Sequence, residues 1–178
     1  VIAVGASRSS IPSDMPDGFD YEKKQYISGI FDNVDLILSG TPYIKNIQVA
    51  PDIEKKTARI QAKINSGDKP TSSKVAFLIR ETASGKVVGA FTTGKLDFGA
   101  GSDNTIDINI PIENCSLWSP ENPFLYTLEV NTSADSYTTR FGMRELHFDP
   151  ATNQPMLNGK PYFLRGTNRT LYRFFEDP

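Results

Sequence analysis

Thr57-Ala58-Arg59-Ile60-Gln61-Ala62-Lys63-Ile64 alternates without a break, with Ala58, Ile60, Ala62 and Ile64 apolar and the residues between them polar. Successive side chains of a strand point to opposite faces, so this stretch predicts a strand with one face in a core and the other in water. Thr105 to Ile112 repeats the pattern, with Ile106, Ile108, Ile110 and Ile112 on one face. Phe124 to Val130 does so again through Phe124, Tyr126, Leu128 and Val130.

Working outward, further strand signals lie at Lys74 to Glu81, at Lys86 to Thr92 (short, as an edge strand would be) and at Ser136 to Leu146. Tyr43 to Val49 alternates imperfectly, and Pro51-Asp52 after it marks a turn or bulge. Polar or glycine-rich stretches separate these runs: Asn65 to Ser73, Ala83-Ser84-Gly85, Gly94 to Asn104 and Asn131 to Asp135. No helical periodicity interrupts them. About seven antiparallel strands with regularly spaced turns predict an all-β chain, an immunoglobulin-like β-sandwich. Tyr126 suits either a tyrosine corner, its hydroxyl tied back to upstream backbone, or a plain core position.

Composition narrows the partners. Lys plus Arg is 19 and Asp plus Glu is 21, a net charge of −2 with no basic stripe, which argues against nucleic acid. No apolar run is long enough to span a bilayer as a helix, which argues against a membrane partner. Cys115 is the single cysteine and His147 the single histidine, so neither an intramolecular disulfide nor a Cys- or His-rich metal site is available. His147 reads as a solvated strand-end residue. Asp14, Asp17 and Asp20 lie in a loop that lacks the full calcium-binding pattern and its terminal glutamate. Gly99-Ala100-Gly101-Ser102 lacks the strand-to-helix context of a phosphate loop. No cofactor and no metal is expected. Asn114-Cys115-Ser116, Asn131-Thr132-Ser133 and Asn168-Arg169-Thr170 match the glycosylation triplet, which matters in a eukaryotic secretory host.

Three further stretches are distinctive. Leu117-Trp118-Ser119-Pro120-Glu121-Asn122-Pro123-Phe124-Leu125-Tyr126 is a turn-rich lead-in to a strand, since each proline fixes φ and removes an N–H donor. Trp118, the only tryptophan, reads as a core or rim plug ahead of a ligand platform. Arg140-Phe141-Gly142-Met143-Arg144 follows. Leu157-Asn158-Gly159-Lys160-Pro161-Tyr162-Phe163-Leu164-Arg165-Gly166-Thr167-Asn168-Arg169 closes the set, with Asn158-Gly159 as a type I′ turn signal inside a small hairpin over Asn153 to Leu164. In this order and spacing the three stretches resemble the consecutive signatures of glycoside hydrolase family 2, which includes β-galactosidases, β-glucuronidases and β-mannosidases. The likeness continues more loosely upstream through Gly29 to Leu36.

The resemblance implies an order of parts. Residues 1–40 would be the last strands of a jelly-roll, sugar-binding-like domain, with Gly29 to Leu38 a strand that cannot bury a core alone. Residues 41–150 would be the immunoglobulin-like sandwich. Residues 151–178 would be a hairpin and the first strand of a truncated (β/α)₈ barrel, Phe163 to Arg169. Barrels place their working residues at the C-terminal ends of strands, where Asn168 and Arg169 fall; by resemblance these two line the sugar pocket of the parent enzyme, the alternative being that Arg169 only pairs with a carboxylate at the barrel mouth. Retaining hydrolysis needs two carboxyl groups roughly 5 Å apart, and in the family both lie beyond this stretch, so the residues in hand are expected to be catalytically inert. The Asn-Arg pair runs into Thr170-Leu171-Tyr172-Arg173 where many relatives have a His-Glu-His cluster, which implies a different sugar or linkage, or a divergent subfamily. Partners would be the other domains of the same polypeptide and a carbohydrate substrate. The residues fix no compartment; the resemblance is compatible with a periplasmic or secreted parent. Two rivals have features to check: an autonomous carbohydrate-binding sandwich using Tyr21, Tyr26, Phe31 and Tyr43, and an interaction module using the Lys86 to Thr92 edge.

Overall fold

A computed structural model describes residues 33–166. The chain divides into two units, Leu38–Leu164 and a second made of Val1–Ile37 with Arg165–Pro178. Of the second unit, residues 33–37 and 165–166 are described; they are exposed and carry no strand. The expected strand at Gly29 to Leu38 is thus not found over its described part. Leu36 and Ile37 are 85% and 84% exposed, and a strand exists only where a neighbour completes its hydrogen bonds.

The Leu38–Leu164 unit holds twelve strands: β1 (Tyr43–Asp52), β2 (Thr57–Asn65), β3 (Thr71–Ser73), β4 (Ala76–Glu81), β5 (Val87–Thr92), β6 (Leu96–Phe98), β7 (Asp103–Pro111), β8 (Tyr126–Asn131), β9 (Ser136–Phe141), β10 (Leu146–Phe148), β11 (Pro155–Leu157) and β12 (Lys160–Pro161). Two large antiparallel sheets, β1-β2-β7 and β5-β4-β8-β9, contain the seven long strands anticipated, with connections that cross between the sheets as in an immunoglobulin-type sandwich. The alternations place the core. Ala58, Ile60, Ala62 and Ile64 from β2 are fully buried, as are Ile79 from β4 and Tyr126, Leu128 and Val130 from β8. In register, Ile60 faces Ile108 and Ala58 faces Ile110 across β2 and β7. Burying one aliphatic residue of this size contributes about 1.5–3 kcal/mol of transfer free energy, so these rows supply the main driving force.

Two seams close the sandwich. At one, the β8–β9 turn reaches the start of β1: Asp135 Oδ2 accepts the Ile44 N–H at 2.7 Å, and the Thr132 hydroxyl donates to the Pro42 carbonyl at 2.8 Å. At the other, the Glu113 N–H donates to the Val88 carbonyl at 2.9 Å, and β5 lies so close to β7 that a Cβ on Gly89 would sit 2.7 Å from the Pro111 carbonyl oxygen. β5 is an edge strand, as expected of Lys86 to Thr92.

Three boundaries differ from expectation, each for a physical reason. β1 runs on through Pro51 to pair Asp52 with Thr57; proline is accepted there because β1 is an edge strand. Its imperfect alternation comes from a bulge between Ile44 and Asn46, which inserts Lys45 and shifts the side-chain phase. The presumed loops Asn65 to Ser73 and Gly94 to Asn104 pair through β3 and β6 and bury Phe98, in strands too short to show a period. β9 ends at Phe141 and does not reach Leu146, because Gly142 and Met143 turn toward Trp118.

On the solvent face of β1-β2-β7, Arg59 grips Asp107 through Nε at 2.9 Å and Nη2 at 2.6 Å, with Gln61 Nε2 adding a bond at 2.8 Å. The Arg59 guanidinium, followed by Gln61, holds the Asp107 carboxyl down at about 2. Asn65 and Lys45 hold Asp103 in the same way, and its carboxyl too lies below the usual range. Exposed pairs of this kind contribute little to stability, and they leave the face polar.

Tyr126 answers to both of its expected roles. It opens β8 fully buried, with Phe124 and Phe141 rings 5.2 and 5.6 Å from its own. Its hydroxyl accepts the Ser116 N–H at 2.7 Å and donates to the Ser116 carbonyl at 3.3 Å, as in a tyrosine corner. Tyr126→Phe keeps the packing and strips the Ser116 N–H of its acceptor. The variant is expected to lose about 1–3 kcal/mol, read as a lower urea midpoint with an unchanged slope. A midpoint equal to that of the parent would reduce Tyr126 to a core residue.

Candidate functional site

Asn168 and Arg169, expected to line a sugar pocket, lie outside the described residues. So do Asp14, Asp17, Asp20, the Thr170 to Arg173 run, and Tyr21, Tyr26 and Phe31. Tyr43 is half-buried in edge strand β1. What the structure does bring together is the three signature stretches.

The Leu117 to Tyr126 stretch begins with a tight turn. The Ser119 N–H donates to the Asn122 carbonyl at 3.0 Å and the Asn122 N–H to the Ser119 carbonyl at 3.1 Å, a geometry the prolines at 120 and 123 pre-set. Just before this turn, Leu117 and Met143 form a parallel bridge, and the Trp118 N–H donates to the Met143 carbonyl at 2.9 Å. The backbone of Gly142 lies against the indole: a Cβ there would stand 2.8 and 2.9 Å from Trp118 Cβ and Cγ, closer than real atoms approach. Arg144 caps the ring, its guanidinium carbon 4.4 Å from the ring centroid, a cation–π contact. Trp118 is half-buried, which is the rim-plug reading.

The third stretch enters through Asn158. It has φ of 52° and Gly159 of 75°, the left-handed pair that a two-residue type I′ hairpin between β11 and β12 demands. The Asn158 amide then bridges the first stretch and Glu145, the residue that follows the second. Its Nδ2 donates to the Trp118 carbonyl at 2.9 Å, and its Oδ1 accepts the Glu145 N–H at 3.0 Å. The backbone N–H of Asn158 donates to the Glu145 carbonyl at 2.9 Å. A carbonyl requires a donor and an N–H an acceptor, so the partners fix which way the amide faces. The sequence marked Asn158 only as a turn residue. Its bridging role had no local signal, because both partners are backbone groups distant in the chain.

Asn158 thus anchors the β10-β11-β12 sheet, in which Leu146 pairs with Leu157 and His147 with Met156. Leu146, Phe148, Phe163 and Leu164 of this region are exposed, Phe163 at 80%. Phe148, Pro155, Pro161, Tyr162, Phe163 and Leu164 line an open, mostly apolar groove of about 600 Å³. The expected strand from Phe163 is not formed over Phe163 to Gly166, where no described neighbour pairs with it. His147 is exposed, 3.7 Å from Glu145. Among the described residues, no group of three or more His, Cys, Asp or Glu is placed to hold a metal. Among the described residues, the carboxyls displaced from their ordinary value are displaced downward: Asp52 by Lys55, Asp103 by Asn65 and Lys45, Asp107 by Arg59 and Asp149 by Thr152. Burial pushes the half-buried Cys115 thiol up, away from the thiolate.

The tryptophan lead-in and the Asn-Gly hairpin thus interlock beside an all-β sandwich of immunoglobulin type. The model of the glycosyl hydrolases family 2 matches residues 42–144, and the chain belongs to that family. It is 30% identical over 181 residues to a β-galactosidase of Thermoanaerobacterium thermosulfurigenes, a match covering 95% of this chain and 24% of the relative. It is 28% identical over 143 residues to a β-galactosidase of Staphylococcus xylosus, covering 79% of this chain and 13% of that protein. The chain therefore spans a quarter or less of these relatives. Among solved structures, a Bacteroides uniformis β-glucuronidase superposes over 92% of this chain and 21% of its own with a TM-score of 0.71 at 21% identity. A β-galacturonidase of Eisenbergiella tayi, bound to galacturonate, does so over 68% of this chain and 21% of its own with a TM-score of 0.56 at 21% identity. At such identities the superpositions attest the fold.

Asn158→Gly keeps the left-handed backbone and removes only the bridging amide. Native-state hydrogen exchange at the Glu145 N–H should then quicken by about tenfold or more, the equivalent of losing one hydrogen bond to a partly buried group, with the amides of β2 and β8 less affected. Unchanged exchange at Glu145 would show that the bridging amide bears no weight in the joint.

Proposed function

We propose that this chain serves as one part of a longer glycoside hydrolase that cleaves β-linked sugars with retention, and that its own part is structural. The sandwich spaces a preceding sugar-binding-like domain from a catalytic barrel. The β10-β11-β12 sheet, with its apolar groove, braces the barrel entrance. The curated relatives are β-galactosidases, so a β-galactoside is the first substrate to offer. The replacement of the His-Glu-His cluster by Thr170 to Arg173 argues for another sugar or linkage.

One observation carries the structural role. The family signatures that fall on described residues are consumed by one another: Trp118, Gly142, Arg144 and Asn158 satisfy each other's backbone and ring faces and do not converge on a polar pocket. The carboxyls point the same way. A glycosidase's general acid needs a pKa raised toward neutrality, whereas Asp52, Asp103, Asp107 and Asp149 are all displaced downward by donors. Asn168 and Arg169 would line the sugar pocket only once the rest of a barrel surrounds them.

The test compares the 178-residue chain with the longer polypeptide on aryl β-galactoside, β-glucuronide, β-mannoside and β-glucoside. Turnover by the long form and none by this chain is the expected outcome, and the preferred glycoside names the sugar. Turnover by the 178-residue chain alone would place both catalytic carboxyls within it and end the structural reading.

A further inference from the structure

Asn158 is the only asparagine in the sequence followed by glycine. That pair is the most reactive asparagine context in proteins, because glycine leaves the following backbone nitrogen uncrowded. In the reaction, the Gly159 nitrogen attacks Asn158 Cγ and a new N–Cγ bond forms. The bond between Cγ and Nδ2 breaks, and Nδ2 departs as ammonia, taking the Gly159 amide proton. Water then opens the cyclic imide at one of its two carbonyls, giving aspartate or isoaspartate.

In the folded protein this asparagine is also the bridge. Its Oδ1 is held by the Glu145 N–H at 3.0 Å and its Nδ2 by the Trp118 carbonyl at 2.9 Å. Ring closure requires the amide to swing over the Gly159 nitrogen, which breaks both bonds at once. Gly159 itself is exposed, so water reaches the turn and the restraint lies in the bridge. The product cannot restore what it left. An aspartate would keep the bond from Glu145 but set a carboxylate oxygen against the Trp118 carbonyl, two acceptors with no proton between them. An isoaspartate would lengthen the backbone of a two-residue hairpin whose register pairs Leu157 with Lys160.

We propose that Asn158-Gly159 is a deamidation site that the folded joint holds latent, so that a molecule is marked only after its β10-β11-β12 sheet has come away from Trp118. The mark is then one-way: a reacted molecule cannot re-form the joint. No enzyme or cofactor is needed, and the co-reactant is water.

The 178-residue chain would be incubated at mildly alkaline pH in buffer and, in parallel, unfolded in guanidinium, with deamidation at each asparagine followed by peptide mapping. Asn158 should be the fastest site when unfolded. In the folded protein it should react at least about tenfold more slowly, because reaction through an opened state scales with that state's population. Equal rates at Asn158 in the two conditions would overturn the latency. Asn158→Asp, which supplies the aspartate product without the ageing, is the second arm. It should lose exchange protection at the Glu145 amide while β2 and β8 stay protected; protection at Glu145 equal to that of the parent would overturn the one-way mark.

Discussion

The side-chain amide of Asn158 meets a backbone N–H on one side and a backbone carbonyl on the other, and these two groups belong to different stretches of sequence. Alanine makes neither bond, and aspartate makes one and opposes the other. Glutamine is a methylene too long and less at ease in the left-handed backbone that the hairpin imposes. Through this amide the turn between β11 and β12 is fixed to Trp118, and through Trp118 to the end of β9. Gly142 admits the indole and Arg144 covers it, so the joint is packed as well as hydrogen-bonded. Polar satisfaction and close packing at one place make each dependent on the other.

This dependence explains where β9 stops. Hydrogen bonding with β8 favours a longer strand, and the apolar residues in the run up to Leu146 agree. The joint requires instead that Gly142 and Met143 leave the sheet and meet Leu117 and Trp118. A tertiary demand overrides a local preference, and glycine at 142 is the only residue whose backbone can come so near the ring. The same reversal takes Leu146 to Phe148 away from the sandwich to found the small sheet.

The sandwich itself was legible. Unbroken alternation in Thr57 to Ile64 and in Thr105 to Ile112 put the right side chains in the core, because a strand half in water must alternate. The Asn158-Gly159 hairpin was legible too, since few residues accept two successive left-handed conformations. What escaped has physical causes. A bulge at Lys45 scrambled the phase of β1, and three-residue strands such as β3 and β6 are shorter than any period. The end of β9 and the bridging role of Asn158 depend on residues remote in sequence. Of the site, the residues of the three signatures were legible as motifs through family resemblance; that they form a single joint was not. Asn168 and Arg169 lie outside the described residues.

Trp118 is the only tryptophan and sits within the joint, so its fluorescence reports that place alone, while far-ultraviolet circular dichroism reports the strands of the sandwich. Equilibrium unfolding in urea, followed by both signals on the parent and on Asn158→Gly, tests directly that the Asn158 amide holds the joint. In the variant the tryptophan transition is predicted to move to lower urea and the strand signal to move less. A tryptophan transition at the same urea concentration in parent and variant would contradict the account.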